Sequence, residues 1–300
     1  MAPPRPLRAR RRAVLLGAAA LAAPGAAWGA TLPPGSHRID YEEPCGASPG
    51  RMAVYLHRPA AWAPEGPVVV VMHGIRRDAD AYRDAWVAHA EAHGFLLVCP
   101  CYGAEAFPGD RWYNLGNAAD ADGAPQPPSA WTFAALDRAV DVAREACGAR
   151  REGFALYGHS AGAQFVHRYL ILTGAPRVSR LIAANSGWYS MPRFDVDFPY
   201  GLGRTAVTAE ALAAALARPV TILLGEEDTN PNHPLLRRDA GSDAQGTHRF
   251  ERGQAFFAAA REAAARMGVP FAWTLRTVPG VGHSNAGMAR AASPLLLAAG

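Results

Sequence analysis

Residues 158–162 read Gly158-His159-Ser160-Ala161-Gly162, a G-x-S-x-G pentapeptide. Apolar Phe154–Tyr157 runs into it, and the Ala-rich stretch Ala161–Leu172 runs out of it. A serine on a tight strand-to-helix turn is held exposed in a strained conformation, which suits a nucleophile. The flanking glycines leave room for that turn. The helix N-terminus behind Ser160 offers free N–H groups to developing negative charge. An ordinary Gly-rich turn would have the same composition; the strand before it and the helix after it favour the sharper reading.

A serine hydroxyl needs a base, and the base needs an orienting acid. His283 is the expected base. Gly282-His283 follows the apolar stretch Phe271–Val278 and precedes a final helical stretch. His248 opens a long helical stretch and His233 lies in a Pro-rich loop, so both fit less well. The acid is expected after the preceding strand, where Val220–Leu224 leads into Gly225-Glu226-Glu227-Asp228. Asp228 is the choice, with Glu226 and Glu227 as alternatives that follow the strand so closely that they are expected to point aside or to solvent. Developing negative charge on a carbonyl oxygen needs two preorganised N–H donors. Ala161 N–H supplies one and Ile75 N–H, in the loop His73-Gly74-Ile75-Arg76, the other. His73 is expected to hold that loop by hydrogen bonds. Trp112, Tyr113, Trp188 and Tyr189 fall on loops near this site, either lining a substrate pocket or packing the loops onto the core.

These groups must be positioned by elements that alternate along the chain. Met52–Arg58 alternates apolar and polar as a half-buried strand does, and Pro67–Met72 carries four consecutive valines, as a doubly buried strand does. The pattern continues with a helix around Tyr82–His93, strand Phe95–Val98 and a helix over Thr132–Cys147. After the elbow come strand Arg180–Ala184, helix Thr208–Ala217, strand Val220–Leu224, helix Arg249–Met267, strand Phe271–Val278 and helix Ala286–Leu297. Alternation of this kind predicts an α/β fold, a mostly parallel central sheet with helices on both faces. Residues 102–129 lack a period and read as a surface excursion. Residues 188–203 allow at most a short cap, so no large lid domain is expected.

In this order, His73-Gly74, the Gly158–Gly162 elbow, Asp228 and Gly282-His283 make the chain similar to the α/β-hydrolase superfamily over residues 50–298. Within it, the chain most resembles the secreted poly(3-hydroxybutyrate) depolymerase and feruloyl-esterase-like group, on its lidless layout and on Asn185-Ser186-Gly187-Trp188-Tyr189. The resemblance implies an α/β-hydrolase fold and a serine esterase that works through an acyl-enzyme, with no cofactor and no metal. No nucleotide fingerprint, phosphate loop or zinc helix is present in the sequence.

Composition narrows the class further. The chain has 300 residues, half of them hydrophobic, and a formal charge of +4. Arg5, Arg8, Arg10, Arg11 and Arg12 supply that excess; the remainder holds 25 basic residues against 26 acids. A nearly neutral body has no global reason to bind nucleic acid. The basic run, the apolar stretch Ala13–Ala23 and small residues up to Ala27-Trp28-Gly29 follow the order of an export signal. Arg11-Arg12 before Ala13-Val14-Leu15 resembles a twin-arginine signal. Residues 1–29 are therefore expected to be removed on export to the periplasm or beyond, leaving residues 30–300 as one domain without a stable membrane anchor. Cys45, Cys99, Cys101 and Cys147 read as buried small hydrophobes with at most one bridge among them, its pairing open. The expected substrate is a small or oligomeric ester. A peptidase or amidase on the same fold, and a non-catalytic periplasmic binding protein, stay open as alternatives.

Overall fold

Val68–Met72 is buried along its whole length, and its neighbours show why a run of valines was required there. The computed structural model describes residues 31–297; the export-signal expectation for residues 1–29 lies outside them. The strands are β1 (Gly35–Glu43), β2 (Gly50–Arg58), β3 (Val68–Met72), β4 (Leu96–Cys101), β5 (Phe154–His159), β6 (Val178–Ala184), β7 (Val220–Gly225) and β8 (Trp273–Val278). The α-helices are α1 (Ala79–His93), α2 (Gly109–Trp112), α3 (Ala134–Cys147), α4 (Ala161–Thr173), α5 (Ala209–Leu216), α6 (Ala240–Asp243), α7 (Arg249–Met267) and α8 (Asn285–Leu297).

One eight-stranded sheet runs in the order β1-β2-β4-β3-β5-β6-β7-β8. Pairing is antiparallel from β1 through β2 to β4 and parallel across the rest. Side chains alternate between the two faces along each strand. Val68, Val70 and Met72 join the layer formed with α3, α4, α5 and α7, while Val69 and Val71 join the layer under α1 and α8. Trp86 of α1 and Phe165 of α4 are fully buried in these two layers. Burial of each such side chain contributes about 2–3 kcal/mol. No large lid or additional domain is present among the described residues.

The structure departs from the sequence reading in four places. β1 was not anticipated. Its inward positions include His37 and Glu43, so the apolar alternation is broken; buried Glu43 pairs with Arg138 and also accepts from Tyr41 Oη and Cys45 N–H. β4 runs on to Cys101, although Pro100 lacks an N–H. β3 pairs only with Leu96–Val98, so Pro100 faces β2 alone. Residues 102–118 are packed rather than solvated, while 121–129 stay at the surface: Tyr113, Asn114 and Asn117 are buried, and Arg77 ties the segment down through Tyr102 O, Phe107 O and Gly109 O. Finally, all four cysteines are free, and only Cys99 and Cys147 are buried, Cys45 and Cys101 being partly exposed. Cys45 Sγ accepts a hydrogen bond from Arg138.

Candidate active site

In open parallel sheets, ligands bind beyond the carboxyl ends of the strands. Here β3, β5, β6, β7 and β8 bring the loops at residues 73–77, 160, 185–188, 226–236 and 279–284 to one edge. Register fixes their spacing, with Met72 opposite Gly158, His159 opposite Ala184 and Gly225 opposite Val278.

Ser160 sits between β5 and α4 at φ 58° and ψ −117°, outside the regions L-residues favour. Holding a non-glycine residue there costs about 1–3 kcal/mol. The turn depends on its glycines. A Cβ on Gly158 would lie 2.3 Å from Gly162 O, and one on Gly162 would lie 2.2 Å from Met72 O. Ser160 N–H donates to Ala184 O at 3.0 Å, which pins the elbow to β6.

His283, in the loop between β8 and α8, brings Nε2 to 3.0 Å from Ser160 Oγ. Its Nδ1 lies 2.7 Å from Asp228 Oδ2. Asp228 is buried, whereas Glu227 is exposed and Glu226 accepts a hydrogen bond from Thr277 Oγ1 at the surface. The structure therefore brings Ser160, His283 and Asp228 into one hydrogen-bonded chain. Such a chain can pass a proton from a hydroxyl to an imidazole while the carboxylate steadies the imidazolium.

Asn185, at the end of β6, clamps both outer loops. Its Oδ1 accepts from Gly225 N–H at 2.7 Å and its Nδ2 donates to Gly282 O at 2.9 Å. The sequence singled out Asn185 only as a family marker; its clamping role becomes visible when β6, β7 and β8 are side by side. On the other flank, His73 accepts from Tyr102 N–H through Nε2, so its proton is on Nδ1, facing Gly74 O at 2.8 Å. Burial pushes His73 down to about 3, so it stays neutral. It braces the loop that presents Ile75. A Cβ on Gly74 would lie 3.9 Å from Ser160 Cβ, so this loop stands directly over the serine. Ala161 N–H opens α4, where helix geometry offers no acceptor.

Two recesses meet at Ser160. One, about 320 Å³, is lined by Asn114, Ala161, Gln164, Trp188 and Arg237. The other, about 260 Å³, is lined by Gly74, Tyr82, His159, His233 and His283. Exposed Ile75 and Leu235 border both. A larger hollow of about 560 Å³ lies near Arg38, Tyr55 and Cys101 and contains none of the expected site residues. Chemistry, not volume, selects the cleft at Ser160.

Of the four aromatic residues singled out, Trp188 lines the first recess, with the guanidinium carbons of Arg168 and Arg237 4.1 Å and 4.8 Å from its ring centre. The pocket reading fails for the other three. Tyr113 is fully buried and donates to His73 O at 2.6 Å. Tyr189 is fully buried and stacks on Phe256 with ring centres 4.3 Å apart. Trp112 packs half-buried against the core, with Arg111 over its ring. Their polar handles or flat faces were needed to fix loops onto the core.

Three buried groups set the local field. His159 lies with its ring 4.8 Å from that of His283. Burial, followed by the charges of His283 and Arg249, holds it well below the usual histidine range. Arg168 is fully buried behind Trp188, and burial pushes it down to about 9. Arg249, at the start of α7, is buried with Nη1 3.4 Å from Asp228 Oδ1. The sequence reading passed over Arg249 because a basic residue at the start of an amphipathic helix looks like any solvated position.

The fold and the described chemistry define the α/β-hydrolase class of serine hydrolases, and the chain belongs to it. It is 38% identical to poly(aspartic acid) hydrolase-1 from Sphingomonas sp. KT-1, over 89% of this chain and 100% of that one, with a TM-score of 0.84. It is 37% identical to LpqC, a poly(3-hydroxybutyrate) depolymerase from Bordetella parapertussis, over 88% of this chain and 89% of that one, with a TM-score of 0.83. A ferulic acid esterase shares the fold at 14% identity and a TM-score of 0.51, over 87% of this chain and 96% of that one. No protein-family model and no curated protein sequence matches the chain.

Proposed function

We propose that the protein is a carboxylic ester hydrolase that works through an acyl-enzyme on Ser160, with short polyester oligomers or aryl esters as substrates. The hydrogen-bonded series Ser160 Oγ, His283, Asp228 on a strained elbow is the observation that carries this reading. Ser160 Oγ attacks the ester carbonyl as His283 Nε2 takes its proton. Ala161 and Ile75 N–H groups receive the oxyanion. Collapse expels the alcohol, which collects the proton from His283. Water, deprotonated by the same imidazole, then releases the acid. Asp228 stabilises the imidazolium in both halves.

A second reading has its own support. One relative is a poly(aspartic acid) hydrolase, so its polymer carries amide bonds and carboxylates. The first recess here is lined by Arg237 and Arg249, with Arg168 buried behind Trp188. Arg237 is paired there with Asp110 and Asp239 and Arg249 with Asp228, so an anionic amide polymer cleaved by the same serine would share these guanidinium groups with their carboxylates. Product release from a hydroxybutyrate oligomer, a feruloyl ester and poly(aspartic acid) separates the two. Faster turnover of the oligoester is expected; turnover of poly(aspartic acid) alone would transfer the assignment to the amidase reading. Turnover of nothing, with the protein folded, would favour a binding protein.

The same reading includes export to the periplasm or beyond, supported by Arg11-Arg12 and Ala13–Ala23. Replacing Arg11 and Arg12 together by Lys keeps the charge and is expected to retain the protein in the cytoplasm, because the twin-arginine receptor reads the pair itself. Cell fractionation checks this, and normal export of the double variant would point to the general secretory route.

A further inference from the structure

The loop after β7 presents a second imidazole that the mechanism above does not use. His233 is half-buried and lines the recess that holds Ser160 and His283. Its ring lies 5.8 Å from that of His283, edge to face. Two groups meet its Nδ1: Leu235 N–H at 3.1 Å and Arg249 Nη2 at 3.2 Å. A backbone amide N–H and a guanidinium can only donate, so Nδ1 must hold its lone pair and the ring proton must be on Nε2. Protonating Nδ1 would press a hydrogen against the guanidinium. Burial first, then the charges of Arg249 and His283, hold His233 below the ordinary histidine range. The ring is thus neutral, with its one N–H on the edge away from Arg249. Among the described residues no group accepts from that Nε2.

Which side of Ser160 each half of the substrate occupies follows from the proton. The departing oxygen must collect it from His283, so the alcohol half lies on the His283 side. His233 and His283 line the same recess, whereas the recess containing Ala161 contains neither. We infer that His233 is a specificity contact for the alcohol half of the substrate, its Nε2–H donating to a carbonyl or carboxylate oxygen a few atoms beyond the scissile ester, as in a hydroxy-acid oligomer. No bond is made or broken at His233. Arg249 is the positioning residue, because one guanidinium holds both Asp228 Oδ1 and His233 Nδ1. This contact rests on the serine-hydrolase reading of the cleft.

The test compares two acetate esters that differ only in the alcohol: acetylated 3-hydroxybutyrate, which carries a carboxylate, and sec-butyl acetate, which does not. The ratio of their kcat/KM values is expected to fall about tenfold or more in His233→Ala, the scale of a lost hydrogen bond to a charged group. In His233→Gln, whose amide N–H stands where Nε2–H stood, the ratio is expected to stay within about threefold of the parent. An unchanged ratio in His233→Ala would overturn the inference. So would an equal loss on both esters, which would mark a structural role. Nitrogen NMR of the resting protein reads the contact without turnover. His233 is expected as the neutral Nε2–H form, with Nε2 shifting when 3-hydroxybutyrate is added. A proton on Nδ1, or no shift on addition, would also overturn it. Failure of the serine-hydrolase reading would show separately, as no turnover of either ester by the parent protein.

Discussion

Ser160→Ala is expected to lower ester turnover by about a millionfold, the scale seen when the nucleophile of such a unit is removed. The loss should fall on kcat with substrate binding largely kept, because Oγ bonds to the substrate only along the reaction path. The fold should survive. Ser160 has no side-chain capping bond to α4, and the elbow is held by Ser160 N–H to Ala184 O and by its glycines. A second substitution tests the strain independently. The pair φ 58°, ψ −117° is the mirror image of ordinary extended backbone, which glycine adopts freely. Ser160→Gly should be as inactive as Ser160→Ala yet more stable than it by about 1 kcal/mol in denaturant unfolding. Equal stability of the two would mean that the elbow stores no strain at this residue.

His283→Ala and Asp228→Asn should each lose activity heavily, with Asp228→Asn costing about ten-thousandfold in kcat. The double variant should be hardly worse than the poorer single one, since groups that act as a unit are not additive. Asp228→Asn carries a second penalty. It leaves the buried Arg249 guanidinium without its carboxylate, and breaking a buried pair in this way costs about 3–5 kcal/mol of stability. Glu227→Gln, at an exposed position one residue away, should be mild in both respects. Strong damage from Glu227→Gln with a mild Asp228→Asn would shift the acid by one position. Additive losses in the His283 and Asp228 double variant would deny that the two act together.

The parts of this molecule that were legible in its sequence are those set by local pattern. Four valines in a row need both faces buried, and β3 has them buried. The elbow is legible because an apolar strand runs into G-x-S-x-G and a helix runs out of it, and Gly158 is demanded by Gly162 O four residues on, although the contact that demands Gly162 is with distant Met72 of β3. Asp228 and His283 were found from their places after strands, and that order along the chain becomes proximity once β7 and β8 are parallel neighbours. What depends on contacts between distant segments was not legible. For Tyr113 and Tyr189 the sequence leaves pocket lining and core packing equally open, and in the structure each fixes a loop onto the core. Arg249 and His233 carry no local signature, and Arg249 reaches both His233 and Asp228 only because α7 starts beside the loop that follows β7. β1 escaped because its inward Glu43 is made acceptable by Arg138, a partner 95 residues away.

Reaction of the purified protein with a fluorophosphonate, followed by peptide mass spectrometry, tests the central claim most directly. Such a reagent bonds to a serine whose hydroxyl is activated by a neighbouring base and whose developing oxyanion is stabilised. One adduct per chain, on Ser160, is expected, lost in Ser160→Ala and strongly slowed in His283→Ala. An unlabelled but folded protein, or an adduct on another residue with Ser160 left free, would contradict the assignment of Ser160 as the nucleophile.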